Sequence, residues 1–171
     1  MPAVELIPIR KNQLHVLRNL YQLYCYDFSE YFADDDPEQI NEDGLFEDRN
    51  LDLRRFAGHP GYWGYLGRMD GRLAGFALVS DQVHRRNGPG RYVNEFFVLR
   101  RYRRRGVGRA MAHLMFDTFR GYWEVTEIAA NIPAQMFWRR VIDEYTGGHF
   151  EEFTTFEEGL QIIWQVFDTS R

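Results

Sequence analysis

The sequence predicts an α/β fold of mixed α+β type, a mixed sheet with helices on its faces. Three observations predict it. Short alternating apolar runs bounded by turn residues read as hairpin strands. Strand–helix–strand passages fill the second half of the chain. The 171 residues, 44% of them hydrophobic and 16% aromatic, supply enough apolar side chain for a proper core. No fixed-period repeat, low-complexity tract or linker interrupts them, so a single domain over residues 1–171 is expected.

Each element has its own warrant. Residues 4–9 alternate and end near Pro8, as a short edge strand does. Leu14, Leu17, Tyr21, Tyr24 and Phe28 fall at helical spacing and predict an amphipathic helix over 11–28, with Cys25 beside the stripe as a small core residue. Asp34-Asp35-Asp36-Pro37 is too polar to pack, and a short helix is expected around 45–56. Strand-like runs at 62–68 and 73–79 flank Met69-Asp70-Gly71, a hairpin signal because both central turn residues need positive φ. A polar loop over 82–90 leads to a strand at 92–99. Val107, Ala110, Met111, Leu114, Met115 and Phe119 mark a helix over 106–120, followed by a strand at 123–130. A helix over 134–145 follows Pro133 and ends at Gly147-Gly148. Residues 150–155 and 161–167 form a closing antiparallel pair.

Composition excludes several classes. No apolar run approaches the roughly 20 residues that span a bilayer, so no membrane partner is expected. The N-terminus lacks a basic region followed by an apolar stretch, so no signal peptide is expected. One cysteine rules out an intramolecular disulfide and fits a reducing, cytoplasmic setting. The net charge of −4 hides an asymmetry: residues 27–52 hold eleven Asp/Glu and one Arg, and residues 91–109 hold seven Arg and one Glu. One part of the molecule attracts cations and another anions.

The basic run carries the chemistry. The strand at 92–99 enters Arg100-Arg101-Tyr102-Arg103-Arg104-Arg105, and Gly106 and Gly108 then open a helix. The first N–H groups of a helix lack partners and sit at the positive end of its dipole. Glycines let an anion approach that backbone, and arginines add charge and forked donors. The arrangement is a pyrophosphate cradle. It is not the dinucleotide-binding glycine pattern, which needs a further glycine where Met111 stands, nor a P-loop, which needs Gly-Lys-Ser/Thr. An arginine-rich nucleic-acid site is the competing reading. It is disfavoured by a pI of about 5.7 and leaves the glycine spacing unexplained, so no nucleic-acid partner is expected.

Arg103-x-x-Gly106-x-Gly108 after a hydrophobic strand resembles the Gln/Arg-x-x-Gly-x-Gly/Ala signature of the GNAT N-acetyltransferases. Asn131-Ile132-Pro133-Ala134 followed by Phe137-Trp138-Arg139-Arg140 resembles the second block of that family. The resemblance implies the acyl-CoA N-acyltransferase fold, a central mixed, mostly antiparallel sheet flanked by helices. It implies acetyl-CoA as co-substrate, with no metal. It also implies residue roles. The strand at 92–99 splays from the strand at 123–130, and the pantetheine arm pairs in the gap with Phe97, Val98 and Leu99. The Val98 N–H polarises the thioester carbonyl. Arg103, Arg104, Arg105, Gly106, Val107, Gly108, Arg109 and Ala110 hold the pyrophosphate, and Asn131, Phe137 and Trp138 complete the cofactor-binding set.

Acetyl transfer needs a deprotonated amine, and an alkyl ammonium has a pKa near ~10. Glu95, in an otherwise apolar strand and on the face of Phe97 by alternation, is the candidate base. A structural carboxylate paired with an Arg, or one on a solvated face, remains the other reading. The family's thiolate-protonating Tyr is replaced by Trp138, whose indole N–H is no usable acid. Tyr145 lies two turns further along the same face. A degenerate acetyl-CoA sensor is therefore a second functional reading. The histidines show no metal-ligand spacing; His84 reads as a solvated loop residue and His113 as a helix-surface one. The acidic segment 34–52, with Tyr24, Tyr26, Phe28, Tyr31 and Phe32, suits a small cationic amine acceptor. Trp164 and Phe167 read as exposed aromatics, which makes a homodimer reasonable.

Overall fold

The computed structural model describes residues 3–31, 40–46 and 51–170. Its elements are β1 (Val4–Pro8), α1 (Leu14–Phe28), β2 (Tyr62–Met69), β3 (Arg72–Ser80), β4 (Arg91–Val98), α2 (Val107–Thr118), β5 (Tyr122–Ile128), α3 (Ile132–Thr146), β6 (Phe150–Glu157) and β7 (Leu160–Asp168). The sheet order is β1-β2-β3-β4-β5-β7-β6. Every pairing is antiparallel except β4 with β5, so the sheet is mixed and mostly antiparallel as expected.

Local chemistry explains the joints. Asp70 and Gly71 both take positive φ, 50° and 75°, and close the β2–β3 hairpin. Asn131 caps α3 by accepting the Ala134 N–H at 3.1 Å, Pro133 stands in the first turn, and Gly147 ends the helix at φ 64°. The helix expected around 45–56 is narrower: its described part is a 3-10 turn at Leu53–Ala57 capped by Asp52, and residues 47–50 lie outside the described residues. Asp34, Asp35, Asp36 and Phe32 lie outside them as well.

Alternation along β3 divides the core. Phe76 and Leu78 pack with Leu17, Leu20 and Tyr21 of α1, and Ala77 and Val79 pack with Phe116, Trp123 and Ile142 under α2 and α3. Trp164 and Phe167 are not at the surface. They are 3% and 4% exposed, Phe167 against Phe116 and Trp164 against Phe153. Phe116 of α2 packs on Phe167, and the Arg85 guanidinium lies 3.8 Å over Trp164, so the two rings offer no face to a second copy. His113 is half-buried against the Tyr145 ring at 5.1 Å rather than on the surface. Among the described residues no helix is long and apolar enough to cross a membrane, and no group of three or more His, Cys, Asp or Glu is placed to hold a metal ion.

Candidate active site

After β4 the chain makes a short 3-10 turn at Arg100–Tyr102 and then coils into α2. Arg104 and Gly106 both take left-handed φ, 58° and 77°. Tyr102 and Val107 are buried against Met69, Ala74 and Met111 and anchor the loop from below. Among the described residues, no backbone N–H of residues 104–109 makes a well-formed bond to another backbone group, and the first bond of α2 runs from Ala110 N–H to Gly106 O at 3.0 Å. A row of orphaned donors at the positive end of a helix, within a loop of left-handed turns, is an anion-binding concavity. Arg104, Arg105 and Arg109 are exposed around it. Gly108 packs closely: a Cβ there would stand 3.0 Å from the Phe137 ring and 3.4 Å from Val98.

The concavity opens onto a split in the sheet. β4 and β5 pair only at Arg91↔Trp123 and Tyr92↔Glu124 and then diverge. An antiparallel ladder alternates residues bonded to the neighbouring strand with residues turned off it. Leu99 N–H donates to Ala74 O at 2.8 Å, so Leu99 and Phe97 are committed to β3. Phe96 and Val98 therefore turn their backbone groups toward the gap. The Val98 carbonyl accepts from Arg103 Nε at 2.8 Å. Of the three residues expected to pair with a pantetheine arm, Val98 is the one whose backbone faces the split. Phe96, which the sequence did not single out, faces it too. Its ring stacks on Phe137 at 5.7 Å and meets Trp138 edge-on at 4.9 Å. Trp138 is buried in the core at this point.

The opposite face of β4 carries Glu95. The register with β3 skips Asn94, a bulge that sends Val93 toward α2 and α3 but Glu95 and Phe97 toward α1. There the Tyr24 hydroxyl lies beside the Glu95 carboxylate. Burial, then the Glu95 charge, pushes the Tyr24 phenol well above its ordinary range. The Tyr24 ring is held by Tyr21, Phe28, Phe76 and Phe97 at 5.5 to 5.9 Å. Beside them the Tyr92 hydroxyl and Thr126 Oγ1 lie 2.8 Å apart, bridging β4 to β5 at the throat of the split. His84 is exposed but meets Tyr92 and Trp164 edge-on, at 4.7 and 5.9 Å.

The sequence profile of the acetyltransferase (GNAT) family matches residues 17–142, from α1 through most of α3. The chain belongs to the GNAT acetyltransferase family. It is thus an acyltransferase. No curated protein sequence matches it. Among solved structures it is similar to an acetyltransferase from Thermus thermophilus, at 15% identity over 97% of both chains with a TM-score of 0.62. It is also similar to Arabidopsis thaliana NAA60 in complex with acetyl-CoA, at 17% identity over 99% of this chain and 100% of that one, TM-score 0.60. The Escherichia coli ribosomal-protein-S18-alanine N-acetyltransferase aligns at 17% identity over 100% and 96% of the chains, TM-score 0.58. At these identities the likeness is one of fold.

Two buried glutamates of this GNAT chain were not singled out by sequence. Glu124 is 0% exposed and accepts the His84 and Arg85 N–H groups, both at 2.7 Å. It also lies near the Tyr122 phenol, which burial and this carboxylate push up to about 12. Arg85 then lies 3.8 Å over the Trp164 ring and pairs with Glu157, so the 82–90 loop and the β6–β7 hairpin form one rim. Glu127 is 7% exposed and faces α3, and among the described residues neither of its oxygens has a hydrogen-bond partner. Arg139 forks instead onto Glu152, at 2.7 Å twice. Burial, reinforced by the like charge of Glu152 and opposed by Arg139, pushes the Glu127 carboxyl up to about 8. A glutamate inside an apolar strand is the sequence signal that both share with Glu95. Tyr145 lies away from the split, its hydroxyl donating to Asp117 at 2.6 Å near the ends of α2 and α3.

Proposed function

We propose that this protein is an acetyl-CoA-dependent N-acetyltransferase that moves the acetyl group to a primary amine of a small, cationic acceptor by direct attack on the thioester. The orphaned N–H row at residues 104–109 carries the reading, because it fits a pyrophosphate and lies at the mouth of the β4–β5 split. Bound there, acetyl-CoA supplies an activated acyl group. Arg104, Arg105, Gly106, Val107, Gly108 and Arg109 hold its phosphates through backbone N–H groups and arginine charge. The Val98 N–H donates to the carbonyl oxygen as negative charge develops on it. Glu95, beside Tyr24, accepts the amine proton directly or through one water. The leaving thiolate takes its proton from water: Trp138 is a buried indole, and the Tyr145 hydroxyl is committed to Asp117.

The acceptor assignment rests on the carboxylate and rings gathered on the α1 face: Glu95 with Tyr24, Tyr92 and Trp164. A protonated amine is stabilised by both. The basic run is a poor nucleic-acid surface, because Arg100 and Arg103 are paired with Asp27 and Arg109 with Glu144.

Acetyl-CoA titration by calorimetry, with CoA release followed over a panel of amines, tests the reading. Glu95→Gln is expected to lower kcat about 10²-fold with acetyl-CoA affinity unchanged. Gly108→Leu is expected to weaken acetyl-CoA binding at least about tenfold, because the new side chain meets Phe137 and Val98. A wild type that does not bind acetyl-CoA would overturn the proposal. Binding without turnover on any amine would make the protein a sensor.

A further inference from the structure

Arg103 opens the sequence signature, yet its side chain does not join the concavity. Its Nε donates to the Val98 carbonyl at 2.8 Å, and a terminal nitrogen pairs with Asp27 Oδ2. The guanidinium lies 5.6 Å from the Phe97 ring centroid. Asp27 belongs to the last turn of α1 and its side chain is 17% exposed; its other oxygen takes Arg100 Nε at 2.8 Å. One carboxylate thus gathers both arginines. Through Arg103 it reaches the one carbonyl at the end of β4 that β3 leaves unpaired. The peptide plane of the Val98 carbonyl and the Leu99 N–H is bonded to β3 through Leu99 and finds its second anchor in Arg103; the Val98 N–H lies in the adjoining plane, hinged to it at the Val98 α-carbon.

We infer that Asp27 and Arg103 form a positioning pair: Asp27 holds the Arg103 fork against the Val98 carbonyl and so aims the Val98 N–H into the split, and Arg103 is not a ligand of the pyrophosphate. The inference rests on the proposed reading of Val98 as the group facing the thioester. The chemistry favours an arginine there. A planar fork bonds a carbonyl and a carboxylate at once, which an ammonium on a flexible stem does not reproduce.

The test compares Asp27→Asn, Asp27→Glu, Arg103→Lys and Arg103→Ala with wild type. Three quantities are read: the Kd for CoA and its salt dependence, the amide resonance of Val98 by isotope-labelled NMR, and kcat on whichever amine the wild type turns over best. Asp27→Asn, Arg103→Lys and Arg103→Ala are expected to shift the Val98 amide and lower kcat roughly tenfold, the worth of one charge-assisted bond. They should leave the CoA Kd within about twofold and its salt slope unaltered. Asp27→Glu, which keeps the carboxylate, is expected to recover most of kcat. A CoA affinity that falls tenfold in Arg103→Ala with a shallower salt slope would make Arg103 a phosphate ligand and overturn the assignment. Wild-type behaviour of Arg103→Lys in all three readouts would overturn it as well. If the wild type acetylates no amine, the catalytic reading fails separately, and the NMR and affinity arms still decide the pair.

Discussion

Glu127→Gln is expected to stabilise the protein at pH 7 by about 3 kcal/mol and to remove a slope from its stability-versus-pH curve. In the native state this carboxyl is buried without a partner and titrates at about 8. In the unfolded chain it titrates near ~4.3. Below the unfolded value both states are protonated and folding is not penalised. Between the two values the unfolded chain releases the proton and the native state keeps it. Stability therefore falls as pH rises, by up to ~1.4 kcal/mol per unit, and levels off above the native pKa. Glutamine has the same shape and no charge to desolvate. Urea unfolding at pH 5, 7 and 8.5 checks the sign: the variant should gain on wild type between pH 5 and 8. Parallel curves would mean that Glu127 ionises freely in the native state. The Arg139–Glu152 pair, which keeps its own geometry, should not change this outcome.

Glu124→Ala is expected to cost about 3–4 kcal/mol and to lower acceptor-dependent turnover with it. The carboxylate is fully buried and accepts two backbone N–H groups. Alanine leaves both donors without an acceptor. The 82–90 loop loses its anchor beneath His84 and Arg85, and the face that Tyr92 and Trp164 share with it loosens. Thermal unfolding and the KM for the amine read the two effects. Affinity for CoA should survive in the folded fraction, because the 104–109 backbone stands on α2 and not on this loop. A variant with wild-type stability would show that water replaces the carboxylate at no cost.

What could be read from sequence was what neighbouring residues decide. Asp70-Gly71 specified its turn by itself, and Gly106 with Gly108 announced the open N-terminus of α2. The interior pattern of α1 was legible because Leu17, Tyr21 and Cys25 repeat at helical spacing. What stayed hidden depends on register and on distant partners. The bulge at Asn94 is visible only once β3 lies alongside, and it decides which backbone groups of β4 face the split. Glu95 is legible in its own strand, but Tyr24, which lies beside it, comes from another element. The contact of Arg103 with Asp27 joins residues 76 apart, beyond the reach of the local signature. The burial of Trp164 and Phe167 stayed hidden because the groups that cover them, Arg85 of the 82–90 loop and Phe116 of α2, are far away in the chain.

The two rungs between β4 and β5 have a mechanical meaning. β1–β4, with α1 packed on them, form one leaf; β5–β7 form the other. The leaves share a backbone spine only at Arg91–Trp123 and Tyr92–Glu124, fastened by the Tyr92–Thr126 stitch. Everywhere else each strand is zipped to its neighbour along its length. The sheet is thus a book bound at one end of its spine. An extended guest laid along the open margin of β4 would stand in for the missing stretch of strand and add backbone cohesion across a seam that side chains alone now close.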